Sequence, residues 1–284
     1  MKLKYHYADY ETILTPQNSM NVYHGCTHGC IYCDSRSYSY NINHDFEDIE
    51  VKRNAPDILD KELREKNNPC MITTGAMCDP YIHLEERMRY TRKCLEVIEY
   101  HGFGIAIQTK SARILQDIDL LKKINTKSNC VVEITLTTLD EDLCRIIEPN
   151  TSTTKERVYV LKALQREGIP TVVWLCPTLP FINDSIENLR GLLDYCIDAK
   201  VYGVMCFDFN VVLRPGNREY FYKNLDKYFP NVKQKYIETF GNCYTCNSPN
   251  SNNLQQLSND ICRKHGIFNK QYDVFNDFKL EKGL

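Results

Sequence analysis

No apolar run approaches the roughly 18 residues needed to cross a bilayer. The opening Met1-Lys2-Leu3-Lys4-Tyr5-His6-Tyr7 also lacks the apolar core of a signal peptide. An excess of either charge is missing as well: 35 Lys and Arg against 37 Asp and Glu leave a net charge of −2. No global basic field therefore advertises nucleic acid or a membrane surface. Internal repeats, low-complexity tracts and linkers are absent across the 284 residues. These absences predict a cytoplasmic protein, with nucleic acid not favoured and no membrane partner. A hydrophobic content of 43% and a charged content of 25% suit a globular chain able to bury one large core.

Cysteine is plentiful, with 14 in the chain. A disulfide scaffold would need a short secreted sequence. Cys94, Cys130, Cys144, Cys176, Cys196 and Cys206 instead stand singly in apolar patterns and read as small buried hydrophobes. The exception is Cys26-Thr27-His28-Gly29-Cys30-Ile31-Tyr32-Cys33, a C-x3-C-x2-C run. Its three thiolates can hold three irons of a [4Fe–4S] cube and leave the fourth iron open to a small molecule, whereas electron-carrying ferredoxins use four cysteines. The alternative is a zinc site completed by His24 or His28. Zinc loops, however, usually pair a C-x2-C knuckle with a second pair of ligands farther on. Cys243-Tyr244-Thr245-Cys246, with Cys262 beyond it, offers too few clear ligands, and no second metal is expected there.

Residues 1–17 read as an irregular leader. Met20–Tyr23 is a short strand feeding the cysteine loop, and 34–54 is polar. From there strands alternate with amphipathic helices. Strands are expected at 70–74, 103–107, 131–136, 171–175 and 204–207, and helices at 56–66, 83–101, 111–125, 153–167 and 185–199. Buried strands alternating with helices predict parallel βα units with right-handed crossovers. Six units are too few for a closed barrel, so the expected fold is α/β, a partial (βα)6 TIM-like barrel over 18–216. Its working face lies at the C-terminal ends of the strands. Helical signals at 218–229 and 252–265, between aromatic pieces, make 217–284 a C-terminal cap packed on the barrel.

The triple-cysteine loop followed by βα units resembles the radical S-adenosylmethionine (radical SAM) enzymes. Five further pieces are similar to the spore photoproduct lyase-like branch: Thr74-Gly75-Ala76-Met77-Cys78-Asp79-Pro80-Tyr81, Thr91-Arg92, Thr109-Lys110-Ser111 with Asp117–Leu121, Glu148-Pro149 with Arg157, and Gly168-Ile169-Pro170. Within that branch the chain resembles small uncharacterised proteins, sometimes encoded as one of a radical SAM pair, more than the DNA-repair enzyme. The resemblance implies a [4Fe–4S] cluster held by Cys26, Cys30 and Cys33, with SAM chelating the open iron. Reduction by a flavodoxin- or ferredoxin-type donor would yield a 5′-deoxyadenosyl radical that abstracts hydrogen from an unknown substrate. A second radical SAM protein is an implied partner.

The implied SAM contacts are Tyr32 near the adenine, Gly75 at the methionine ammonium and Lys110 at the carboxylate, with Thr137, Glu148 and Arg157 at ribose or carboxylate. Each has a plainer alternative. Tyr32 could be a core tyrosine, Gly75 a strand-ending turn and Lys110 a solvated lysine, and Glu148 and Arg157 could simply pair with each other. Cys78 is expected to face the cavity, as a hydrogen-atom donor or as a pocket wall. Two other functions stand beside the leading one: repair of thymine-dimer lesions in DNA, and a non-catalytic zinc or iron–sulfur interaction module.

Overall fold

The computed structural model describes residues 3–270. Six parallel strands form one sheet in sequence order: Ser19–Met20, Met71–Thr74, Gly104–Thr109, Cys130–Thr135, Thr171–Trp174 and Gly203–Met205. The helices Ala55–Glu65, Tyr90–His101, Ile118–Lys127, Thr154–Arg166 and Ile186–Asp198 make the crossovers. The fold is the α/β partial barrel expected from the alternation of strand and helix.

The strands carry two apolar faces because each is covered on both sides. Ile72, Ile105, Ile107, Val132, Ile134, Val173 and Val204 face the helices and join the large core. On the other face Ala106, Val131, Val172 and Met205 close together, with Met71 against them, and form the floor of the barrel. Farther along the same face of three of these strands, Gln108, Thr135 and Trp174 line an open cavity above that floor.

Several elements depart from the expectation. The segment read as an irregular leader contains the strand Lys4–Ala8, parallel to Asp48–Lys52 within the stretch read only as polar. The strand expected at Met20–Tyr23 is split, since Ser19–Met20 joins the barrel while Tyr23–His24 pairs antiparallel with Asp48–Lys52. The helix expected over 83–101 breaks at Arg89, whose φ of +57° ends the short helix Glu85–Met88. The buried Glu85 carboxylate makes the break tolerable, accepting the backbone N–H groups of Thr91 and Arg92 at 3.1 and 3.2 Å and so capping the next helix.

The helix expected from 111 opens as a 3-10 stretch, Ala112–Asp117, with Ser111 accepting from the Arg113 N–H. Glu141–Ile147, capped by Asp140, is an unforeseen helix. Beyond the barrel, Asn210–Val212 pairs antiparallel with Thr245–Asn247, and the helices Asn217–Tyr228, Val232–Phe240 and Ser251–His265 surround that pair. Phe221, Leu225, Tyr236 and Cys246 from this region bury themselves against Cys30, Ile31 and Tyr32. Each such ring or chain contributes on the order of 2 kcal/mol when buried, so the C-terminal region clamps the cysteine loop from outside. The part of the expected cap beyond residue 270 lies outside the described residues.

Candidate active site

The cysteine loop leaves the antiparallel strand Tyr23–His24 and lies across the C-terminal ends of the barrel strands. Its backbone is pinned on both sides. The Cys26 N–H donates to the Phe46 carbonyl, the Ile31 N–H to Ile147, and the Asn150 N–H to His28. Gly29, at φ +71°, packs where a Cβ would lie 3.3 Å from the Pro149 ring, so a side chain there would force the loop away from the Glu148–Asn150 segment.

Cys26, Cys30 and Cys33 line one cavity of about 480 Å3, together with Tyr32, Gly75, Lys110, Asp79, His28 and the apolar wall Trp174, Pro177, Phe207, Val211 and Val212. Burial pushes the Cys30 and Cys33 thiols up from their ordinary range. A hydrogen bond from Cys78 holds Cys26 down, against its own burial. Bound metal deprotonates such thiols outright. The thiols do not converge on a point: among the described residues, only His6, His44 and Glu50 form a trio of ligand atoms within 4.8 Å of one another. Tetrahedral zinc with bonds of about 2.3 Å holds its sulfurs roughly 3.8 Å apart. The spread thiols fit a multi-iron cube better than a single zinc ion.

The other polar groups of the cavity also fit a ligand. Lys110 pairs with no carboxylate among the described residues, and its Nζ lies 5.9 Å from the centre of the Tyr32 ring. Burial works against its charge, yet Cys30 and Glu148 nearby raise its pKa overall. The buried His28 Nε2 and Thr135 Oγ1 have no hydrogen-bond partner among the described residues and belong to residues lining the cavity. Gly75, at φ +103°, ends the strand Met71–Thr74 where an added Cβ would lie 2.0 Å from the Gln108 carbonyl oxygen, so no side chain fits.

Asp79, which sequence reasoning passed over, organises this face. It accepts from Thr109 Oγ1 at 2.7 Å and from the backbone N–H groups of Lys110 and Tyr81 at 2.7 and 2.8 Å, and its Oδ2 lies 3.4 Å from His28 Nδ1. Its signal was visible in the motif, an aspartate directly before Pro80 where a strand ends.

Four sequence-expected site residues sit elsewhere. Cys78 is buried but does not face the cavity; its thiol turns back to the Gly25 carbonyl and to Cys26. Thr137 lies beyond the strand end, beside Leu136 and Asn183 in a separate small crevice, and Thr135 takes the cavity position. The strand stops at Thr135, and Thr137 falls in the irregular segment that follows, where the strand's alternation no longer sets the side-chain direction.

Glu148 and Arg157 are fully enclosed behind Tyr32 and pair with each other instead of lining the cavity. Arg157 also donates to the Thr135 and Ser152 carbonyls at 2.8 and 2.7 Å and to Thr151 Oγ1 at 2.8 Å. Glu148 accepts from the Tyr32 hydroxyl. Burial favours a neutral Glu148, but Arg157 and then Lys110 hold its carboxyl below the usual range. Cys243 is exposed, Cys246 is buried beside Phe221 and Tyr236, and Cys262 belongs to the main core.

Beneath the cavity, Glu133 stands on the inner face between Val131 and Thr135 and accepts from Trp174 Nε1 at 2.7 Å. Burial pushes its carboxyl from 4.5 up to about 7. The fold therefore favours the protonated form, and stability present below about pH 4.5 is lost as pH rises through 7. Glu133→Gln keeps an acceptor for Trp174. It should stabilise the protein by about 1–3 kcal/mol near pH 8 and leave stability nearly unchanged near pH 4.5. Thermal melts at the two pH values check this.

In comparison with known proteins, an uncharacterised protein of Mycobacterium tuberculosis is 28% identical over 228 residues, covering 78% of this chain and 66% of that protein. The chain thus spans just under two thirds of that relative's length. An uncharacterised protein of Methanocaldococcus jannaschii is 30% identical over 175 residues, covering 61% of this chain and 64% of that protein. Among solved structures, spore photoproduct lyase complexed with dinucleoside spore photoproduct superposes with a TM-score of 0.63 at 13% identity, covering 89% of this chain and 76% of that one. A variant of that lyase, with AdoMet and the dinucleoside bound, gives 0.62 at 13% identity over 87% and 74%. SuiB of Streptococcus suis, bound to its precursor peptide, gives 0.53 at 14% identity over 97% and 50%. These likenesses show the fold. No helix among the described residues is long and apolar enough to cross a membrane. With residues 20–193, more than half of its length, matching the Radical SAM superfamily, the chain belongs to that superfamily.

Proposed function

We propose that the protein is a radical SAM enzyme that holds a [4Fe–4S] cluster through Cys26, Cys30 and Cys33 and takes S-adenosylmethionine into the same cavity. The observation that carries this reading is that the three thiols, the unpaired Lys110 and the side-chain-free Gly75 all line one pocket at the carboxyl ends of the barrel strands. When bound, the cluster and SAM supply one-electron chemistry, reductive scission of the sulfonium followed by hydrogen abstraction from substrate.

The chain's own residues bind, orient and shield. Lys110 offers a point charge to the SAM carboxylate, in a setting that keeps it protonated. Asp79 fixes the Lys110 backbone and the turn that begins at Gly75. Thr135 Oγ1 and His28 Nε2 offer polar partners that the fold itself leaves unused. Trp174 and Phe207, with ring centres 5.2 Å apart, stand with Pro177, Val211 and Val212 as an apolar wall that limits water near a reactive radical.

Anoxic turnover with dithionite and SAM tests this reading. About four irons per chain and release of 5′-deoxyadenosine are the expected outcome, and deuterium transferred from candidate substrates into that product then identifies the substrate. Iron-free protein carrying zinc on these cysteines, with no SAM cleavage, would instead establish a metal-binding module. Salt-sensitive duplex binding, with cleavage dependent on a photoproduct, would make it a DNA-repair lyase.

A further inference from the structure

The small sheet at the start of the chain has no part in the cavity, yet it gathers histidines on one face. Glu50, on the central strand Asp48–Lys52, is the register partner of His6 on one side and of His24 on the other, so the row His6–Glu50–His24 crosses one sheet face. His44, in the loop just before that strand, covers the row, its ring centre 4.9 Å from His6 and 6.3 Å from His24.

The hydrogen bonds around these rings sort their nitrogens. His6 Nδ1 lies 3.2 Å from Asp48 Oδ1, and His44 Nδ1 lies 3.0 Å from the Asp45 carbonyl oxygen. A carbonyl can only accept, so His44 carries its proton on Nδ1 and presents a lone pair at Nε2, an atom that is buried and has no hydrogen-bond partner among the described residues. The Asp48 carboxylate likewise holds the proton of His6 on Nδ1 and frees Nε2, which lies 3.6 Å from Glu50 Oε2. The other oxygen, Glu50 Oε1, accepts from the Tyr10 hydroxyl and lies 3.4 Å from His24 Nδ1. Imidazoles anchored through Nδ1–H on a carboxylate or a carbonyl, with Nε2 turned inward, are the arrangement that metal-binding histidines require.

We propose that His6, His44 and Glu50 form a second metal site, for a divalent ion of the zinc class, that braces the loop beneath the cluster cysteines. Their ligand atoms already lie within 4.8 Å of one another. Two imidazoles and a carboxylate suit zinc or a neighbouring first-row ion, with a water or His24 in the remaining position. Phe46, two residues after His44, gives its carbonyl to the Cys26 N–H at 3.0 Å. That carbonyl would lie 2.6 Å from a Cβ on Gly25, so only glycine permits the contact. An ion that ties His44 to the sheet thereby fixes the backbone on which the first cluster cysteine rests. The site stands on the sheet geometry alone and is independent of the reaction proposed above.

The full-length protein, reconstituted anoxically with iron and sulfide, is incubated with Zn2+, freed of excess metal, and analysed for both elements. Wild type should retain one zinc per chain beside its iron, with only nitrogen and oxygen in the zinc X-ray absorption shell. His44→Gln and His6→Gln should each weaken zinc binding at least tenfold in a chelator competition, while their three loop cysteines, left untouched, still take up iron. Failure of wild type to retain zinc, sulfur in the zinc shell, or equal zinc in wild type and both variants would overturn the proposal. If the variants fold poorly, the wild-type stoichiometry and ligand shell decide alone.

Discussion

Cys30→Ala should yield a protein that no longer assembles its cluster. The anoxically reconstituted wild type should carry about four irons per chain, and the variant less than one, with 5′-deoxyadenosine formation falling below detection. The other thiol lining the cavity, Cys176, follows the strand Thr171–Trp174 and lies outside the loop that carries Cys30. The Cys30 side chain faces the cavity, and the residues behind it, Ile31 and Tyr32, are packed against the apolar C-terminal region. The loop cannot slide to offer another sulfur, because its backbone is bonded to Phe46 before Cys30 and to Ile147 just after it.

Cys78→Ala is the informative control. That thiol is buried against Gly25 and Cys26, outside the cavity, so the variant should keep its iron and its SAM cleavage. Its effect should be confined to Cys26, whose thiol loses the hydrogen bond that holds its pKa down. Loss of product formation in Cys78→Ala with intact SAM cleavage would restore the hydrogen-donor role expected from the sequence. Equal iron in Cys30→Ala and wild type would remove the cluster assignment altogether.

The barrel was legible in the chain because parallel strands covered on both faces must be written as near-continuous apolar runs, and the helices between them as stripes. The cysteine loop was legible because three thiols in eight residues have few other uses. What escaped shares one physical trait: its signal lies in tertiary partners. Tyr23–His24 and Lys4–Ala8 are short and polar, and they become strands only because Asp48–Lys52 lies between them. The break at Arg89 depends on a buried carboxylate four residues earlier, which caps the following helix from a distance. Lys110 could be placed because it ends a clear strand. Thr137 could not, because the strand ends at Thr135 and the period-2 alternation that places side chains holds only while the chain stays a strand. Asp79 was missed for the opposite reason, as an aspartate before a proline reads locally as a turn. Its three bonds to the strand Gly104–Thr109, Lys110 and Tyr81 appear only once the sheet is assembled.

Arg157→Met should destabilise the protein by about 3–5 kcal/mol, the cost of leaving one partner of a buried ion pair alone. Arg157 and Glu148 are both inaccessible to solvent, so neither charge can be rescued by water. Without Arg157, the Glu148 carboxylate keeps only neutral donors, the Tyr32 hydroxyl and the Cys144 thiol, and the Thr135 and Ser152 carbonyls lose the guanidinium. The sign of the pH dependence follows. Because Glu148 is held below its ordinary pKa in the fold, the pair stabilises the wild type above about pH 4.5, and this contribution is lost as pH falls through the lowered value. The Arg157→Met penalty measured by urea unfolding should therefore be largest near neutrality and shrink in acid. Removing both charges together, in Arg157→Met with Glu148→Gln, should cost less than the sum of the single changes, since the double variant buries no unpaired charge. SAM affinity separates support from contact. The pair stands behind Tyr32 and outside the cavity, so the folded double variant should bind SAM within a few-fold of wild type, whereas Lys110→Met should weaken binding by tenfold or more. A double variant that stays folded yet loses SAM binding as completely as Lys110→Met would place Glu148 and Arg157 on the ligand itself.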